Sequence, residues 1–135
     1  MMNYEKYDVK QYEHLLPILS LENLKSIHKI VAPDVKYSGE FRKENIRVAR
    51  KWCVDCRDVE PMMQDWWMRY DNSHIFDLNQ EFNYIHPFYD KNGLMSRIVW
   101  LDKIKKERRI PDDYDWLSDF FSYTTERWLN GNFLR

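Results

Sequence analysis

From Leu19 onward, apolar residues recur at three- and four-residue intervals in runs separated by turn-forming residues, a pattern that predicts a string of helices. Ser20 is the N-cap of the first well-marked run, with Glu22 and Asn23 in its opening turn and Leu21, Leu24, Ile27, Ile30 and Val31 assigned to one face; Pro33 ends it. A weaker stripe precedes it through Tyr7, Tyr12, Leu15, Leu16 and Leu19, interrupted at Pro17. The segment "VAPDVKYSGEFRKENIRV" is irregular, with Gly39 as its turn. Next, "IRVARKWCV" alternates loosely around Val48, Trp52 and Val54, compatible with a short strand or hairpin. Helical spacing resumes at Asp58, and its Met62, Met63, Trp66, Trp67, Tyr70 stripe has the character of a core. Ile75, Leu78, Phe82 and Ile85 mark a further helix that stops before Pro87. Leu94, Ile98, Leu101 and Ile104 begin the next, and "DYDWLSDFFSYTTERWL" forms the last, closed by an Asn-Gly stop. The sum is an all-α fold with one small β-hairpin.

A chain of 135 residues accommodates one core, so residues 1–135 are expected to form a single domain that carries any site itself. Only three Gly and five Pro agree with helices over a strand-and-turn design. The net charge of -1, from 21 basic and 22 acidic residues well mixed along the chain, argues against nucleic acid or a membrane surface as partner. No uninterrupted apolar run reaches the roughly 18 residues of a membrane span. The opening "MMNYEKYDVKQYEH" lacks a signal peptide's apolar stretch, so the expected compartment is a cytosol, the cell's own or a host's after delivery. Cys53 and Cys56 form one C-x-x-C, but no second Cys/His pair lies at zinc-site spacing and no βαβ context supports a redox motif. Reduced thiols without function are the expectation.

The chemistry concentrates in "IHPFYDKNGLMSRIVWL", between two helical patterns. Gly93 and Leu94 open a helix, whose first N–H groups stabilise an anion such as phosphate. Asn92 adds a side-chain donor, and the fork of Arg97, one turn on, is placed to reach phosphate oxygens. Asp90 is an oxygen ligand of the kind Mg²⁺ takes when it also binds substrate phosphates. His86 is the one group in the stretch whose ordinary pKa suits a general base near neutrality. Taken singly, these are a helix-end His, a turn Asp, a turn dipeptide and a solvated helix Arg; their joint spacing carries the inference. His14, His28 and His74 have no comparable context and are expected to be solvated or packed.

The string "HPFYDKNGLMSR" resembles the Fic-domain signature His-x-Phe-x-(Asp/Glu)-Gly-Asn-Gly-Arg-x-x-Arg, with His86, Phe88, Asp90, Asn92, Gly93 and Arg97 in register. Lys91 replaces the first Gly of that pattern and Leu94 its first Arg. "YSGEFRKENIRV" is similar to the segment before the family's target-binding flap, and "LSLENLKSIHKIV" to its early helix, so the likeness covers most of residues 19 to 105. The resemblance implies transfer of AMP from ATP to a Tyr, Thr or Ser hydroxyl of a protein. His86 would be the base, Asp90 the Mg²⁺ ligand, Asn92, Gly93 and Arg97 the phosphate holders, and Phe88 the inward anchor of the loop. The flap would lie around Val48 to Val59 and pair with a target strand, with the C-x-x-C at its tip as the functional alternative to idle thiols.

The two departures carry physical consequences. A charge-assisted hydrogen bond is worth about 1.5–3 kcal/mol, so losing the Arg at 94 implies transfer slower by roughly ten- to a hundredfold, with Lys91 as a partial substitute for the charge. If position 91 needs φ > 0, Lys91 is strained there. The alternatives are a Fic-fold transferase of another nucleotide or phosphate-linked group, or a catalytically weak nucleotide- or protein-binding module. For inhibition, Ser122 and Glu126 fit the first part of the family's (Ser/Thr)-x-x-x-Glu-(Gly/Asn) motif, but Arg127 follows; a separate antitoxin protein is the alternative.

Overall fold

A computed structural model describes residues 19–108, with side chains through residue 103. The early stripe before Leu19 and the last helix with Ser122 and Glu126 lie outside the described residues, and the side chain of Ile104 lies beyond those described. Helix α1 is Leu21–Val31, and the Ser20 hydroxyl caps it by accepting the Asn23 N–H at 3.0 Å. Its buried stripe is Leu24, Ile27, His28 and Val31, so one expectation is corrected: Ile30 is 38% exposed and His28 takes the inner face. The spacing 24, 27, 28, 31 is the helical stripe, and a histidine completes it.

Strands β1 (Arg47–Val48) and β2 (Lys51–Trp52) pair antiparallel, Arg47 opposite Trp52 and Val48 opposite Lys51. The two-residue turn Ala49–Arg50 has φ of 51° and 68°, the left-handed pair that lets a tight turn follow the strands' twist. Helix α2 is Val59–Met68, α3 is Ile75–Ile85 and α4 is Asn92–Arg108. Short 3₁₀ turns at Cys56–Asp58 and Tyr70–Asn72 flank α2.

Residues Leu94 to Leu101 of α4 are buried on every side, which makes this helix the centre of the core. Ile75, Leu78, Phe82 and Ile85 of α3 pack against it, and Met63, Trp66 and Tyr70 of the α2 segment join the same core. Buried polar groups join the layers: Asn79 donates to the Ser96 carbonyl at 2.9 Å, and the Trp66 indole N–H to the Leu78 carbonyl at 2.9 Å. No helix among the described residues is long and apolar enough to cross a membrane. The consequence for function is that the first turn of α4 is held by the core while its N-terminus opens beside the end of α3.

Candidate active site

Helix α3 stops because Pro87 follows His86 and disfavours a further helical residue. His86 turns left-handed (φ 53°, ψ 62°) while its N–H still donates to the Phe82 carbonyl. The reversal puts the imidazole on the wall of a cavity of about 680 Å³, a size suited to a small-molecule ligand. Its Nδ1 lies 3.1 Å from the Asn83 carbonyl. A carbonyl only accepts, so Nδ1 carries the proton and Nε2 keeps a lone pair, the tautomer of a base. Burial holds the imidazole below its ordinary pKa, the Arg42 charge acts in the same direction, and the Asn83 bond and Asp90 oppose them.

The loop between α3 and α4 is built around two buried groups. Asn92 accepts the Phe88 N–H at 2.9 Å and donates to the Phe88 carbonyl at 2.8 Å, closing the loop into a fixed bend. The Asn92 amide therefore works first as a loop clamp, with one N–H left for a ligand. Phe88 is fully buried, stacked on His28 (centroids 4.0 Å apart) and edge-on to Phe41. The main chain of Lys91 is left-handed at φ 67°, the strained conformation foreseen for a side chain in a glycine position. The Asp90 carboxylate accepts the Lys91 N–H at 2.7 Å.

The first N–H answered inside α4 is that of Met95, by the Lys91 carbonyl, so those of Asn92, Gly93 and Leu94 make up the helix's positive N-terminal end. The Arg97 guanidinium lies against Gly93, where an added Cβ would meet its Nη1 at 3.5 Å. Leu94 is a core residue that reaches the cavity wall, so where the signature has a cation this wall is apolar. His86, Asp90, Lys91, Asn92, Gly93 and Arg97 all line the same cavity. A single carboxylate in the cavity wall fits an Mg²⁺ ion that takes its remaining oxygens from phosphates and water; no cluster of three His, Cys, Asp or Glu among the described residues would cage a metal alone.

Two contributors, His28 and Arg42, were not given a role from the sequence. His28 accepts the Gly39 N–H on Nδ1 at 3.0 Å and donates from Nε2 to the Asp90 carbonyl at 3.1 Å, tying α1 to the loop. Gly39 is required for this approach: it is left-handed (φ 79°), and a Cβ there would press on the Lys29 side chain at 3.1 Å. Arg42, buried, donates to the carbonyls of Ile85, His86, Glu44 and Val54, and its own N–H to the Pro87 carbonyl. It thereby caps the C-terminal end of α3 and fastens the root of the hairpin to it. Finally, Ile46, Arg47 and Val48 form the opposite wall.

The hairpin also corrects the placement of the cysteines. Its tip is Ala49–Arg50, while Cys53 is buried at the root, with its N–H on the Ile46 carbonyl, and Cys56 opens the next turn. Burial pushes the Cys53 thiol up, against the opposing charge of Arg42. All five non-glycine residues with left-handed φ among the described residues, Tyr37, Ala49, Arg50, His86 and Lys91, belong to the loop, the hairpin or the turn leading to them. Two of them, His86 and Lys91, line the cavity itself, where strain of this kind is found at working sites.

The helices and the hairpin around this cavity define a class, a mostly helical domain with its cavity at a helix N-terminus. Within that class the sequence is specific: the Fic/DOC family profile matches residues 18–101, and the chain belongs to the Fic/DOC family. Its fold is similar to the crystal structure of a Fic family protein from Desulfovibrio desulfuricans G20, with a TM-score of 0.63 and 19% identity over 78% of this chain. The chain spans 36% of the length of that protein. No curated protein matches the sequence.

Proposed function

We propose that the protein is an adenylyltransferase that moves AMP from ATP to a Tyr, Thr or Ser hydroxyl of a target protein. The observation that supports it is the His86 tautomer: Nδ1–H is spent on the Asn83 carbonyl, and the imidazole lines the same cavity as the N-terminus of α4. His86 Nε2 takes the proton of the target hydroxyl as that oxygen bonds to the α-phosphorus. The bond to the β-phosphate oxygen breaks and pyrophosphate leaves. Asp90 would hold Mg²⁺, which supplies neutralising charge to the phosphates. The Gly93 and Leu94 N–H groups, the remaining Asn92 N–H and Arg97 orient the phosphates, with Lys91 as an added cation. Rate enhancement of this kind comes from positioning and preset charge.

The hairpin is the docking edge for the protein substrate, and an inhibitor or antitoxin protein would act by covering the same cavity. The apolar Leu94 in the wall favours a second reading of the donor, in which another nucleoside triphosphate or phosphate-linked group is used. Incubating the protein with Mg²⁺, a panel of labelled nucleotides and a cell lysate, followed by mass spectrometry of modified hydroxyls, separates the two. AMP on Tyr, Thr or Ser supports the first; exclusive use of another donor supports the second. No modification and no nucleotide binding would leave the protein a binding module.

A further inference from the structure

Arg47, Lys91 and Arg97 are the cations that line the cavity. Two more, Arg50 and Lys51, are exposed at the hairpin tip and lie beyond the residues that line the cavity. Between Glu44 and Asp55 the chain carries three cations and no carboxylate, although its net charge is -1. Beside them Trp52 is 64% exposed, with the Arg47 guanidinium over its ring at 5.3 Å. An aromatic ring left in water within a basic ribbon is a surface made for contact. The sheet is only two-stranded among the described residues, so each strand keeps an outer edge of backbone N–H and C=O groups. That edge matches an extended peptide and has no counterpart in nucleic acid.

We propose that the hairpin selects an acidic target segment: an extended stretch with Asp or Glu flanking the acceptor hydroxyl, which pairs with the strand edge while its carboxylates meet Arg50 and Lys51 and its apolar parts cover Trp52. This rests on the transferase reading for the role of the hydroxyl, but the binding itself needs no catalysis. Charge complementarity at such a surface acts mainly on encounter and partner choice.

The test uses the whole protein without nucleotide and follows the Trp52 indole N–H by NMR, identified through Trp52→Phe. Three Tyr peptides of equal length are titrated, with flanks of Glu, Gln or Lys. The Glu peptide is expected to shift the Trp52 signal and bind at least about fivefold tighter than the Gln peptide, with the difference shrinking as salt rises from about 50 to about 300 mM. Arg50→Glu with Lys51→Glu should reverse the order of the Glu and Lys peptides; Arg50→Gln with Lys51→Gln should level them, a milder change should the reversal unfold the hairpin. Equal binding of all three peptides, no Trp52 shift, or a single-stranded oligonucleotide binding the tip better than the Glu peptide would overturn the proposal. A protein that transfers AMP but shows no charge preference loses this inference alone, and one that binds the Glu peptide but transfers nothing loses the transferase reading alone.

Discussion

Between Ile85 and Arg97 the polar groups of the loop are answered by buried partners, two from other parts of the chain and one from the loop's own end: Arg42 on the carbonyls of Ile85 and His86, His28 on that of Asp90, and Asn92 on both main-chain groups of Phe88. Between Arg47 and Trp52, by contrast, two strands of two residues each stand largely in solvent on a strained turn, closed at their root by the Cys53 N–H on the Ile46 carbonyl and tied to the core there by Arg42 on the Val54 carbonyl. Both line one cavity. The difference separates two physical tasks. A loop that must aim a base and an anion site cannot adapt, whereas an edge that must accept a partner strand has to stay open until that strand supplies the missing hydrogen bonds.

If that division is right, damage to the loop should act on chemistry and damage to the hairpin on docking. Asp90→Ala should reduce transfer by roughly a hundredfold or more and abolish its response to added Mg²⁺. A wild-type metal curve in the mutant would remove Asp90 as ligand. Arg42→Met leaves buried carbonyls without a donor and should cost about 3 kcal/mol of stability, measured by denaturant unfolding. Because Arg42 fastens both regions, it is also the one substitution expected to impair nucleotide and target binding together.

A finer cut through the loop uses His28. His28→Asn keeps an acceptor near the Gly39 N–H, and His28→Gln keeps a donor near the Asp90 carbonyl. Each should lose about 1–3 kcal/mol of stability, but only His28→Asn should weaken nucleotide affinity in Mg²⁺ relative to affinity without it, as calorimetry would show. The smallest effect belongs to the hairpin turn. Ala49→Gly should change stability by less than about 1 kcal/mol, since relief of the left-handed strain is set against greater freedom in the unfolded chain, and it should leave nucleotide affinity untouched.

Much of this arrangement was legible in the sequence because it is local. The stripes of α2 and α3, the Ser20 cap, the stop before Pro87 and a hairpin around Trp52 all follow from short-range spacing. Lys91 could be suspected of strain because a signature glycine is absent, and its φ of 67° agrees. What escaped depends on distance or on a missing signal. His28 was left open as solvated or packed, although its place beside Leu24, Ile27 and Val31 would have put it inside. The target-binding flap was expected around Val48 to Val59, later than the strands at Arg47–Val48 and Lys51–Trp52, because Ala49–Arg50 adopts a turn that Asn-Gly would have announced. Arg42 stands in a segment whose likeness was noticed, but its four carbonyl partners come from two other stretches as well as its own. No local pattern encodes that.

The central claim is that a neutral His86, aimed by the Asn83 carbonyl, removes the proton of the acceptor. Its pKa is depressed, so between that value and the ordinary 6.5 the unfolded chain binds a proton that the native protein refuses. Stability from this group is therefore complete above 6.5 and falls as pH drops through that window. Transfer should likewise be flat above 6.5 and decline only below it. The most direct measurement pairs His86→Ala with the native protein, following AMP transfer by mass spectrometry and nucleotide binding by calorimetry. The account predicts transfer lower by roughly 10²–10⁴-fold and no acid limb left in the residual rate, with nucleotide affinity within about threefold of native. Undiminished transfer in His86→Ala, or loss of nucleotide binding that accounts for the whole defect, would contradict it.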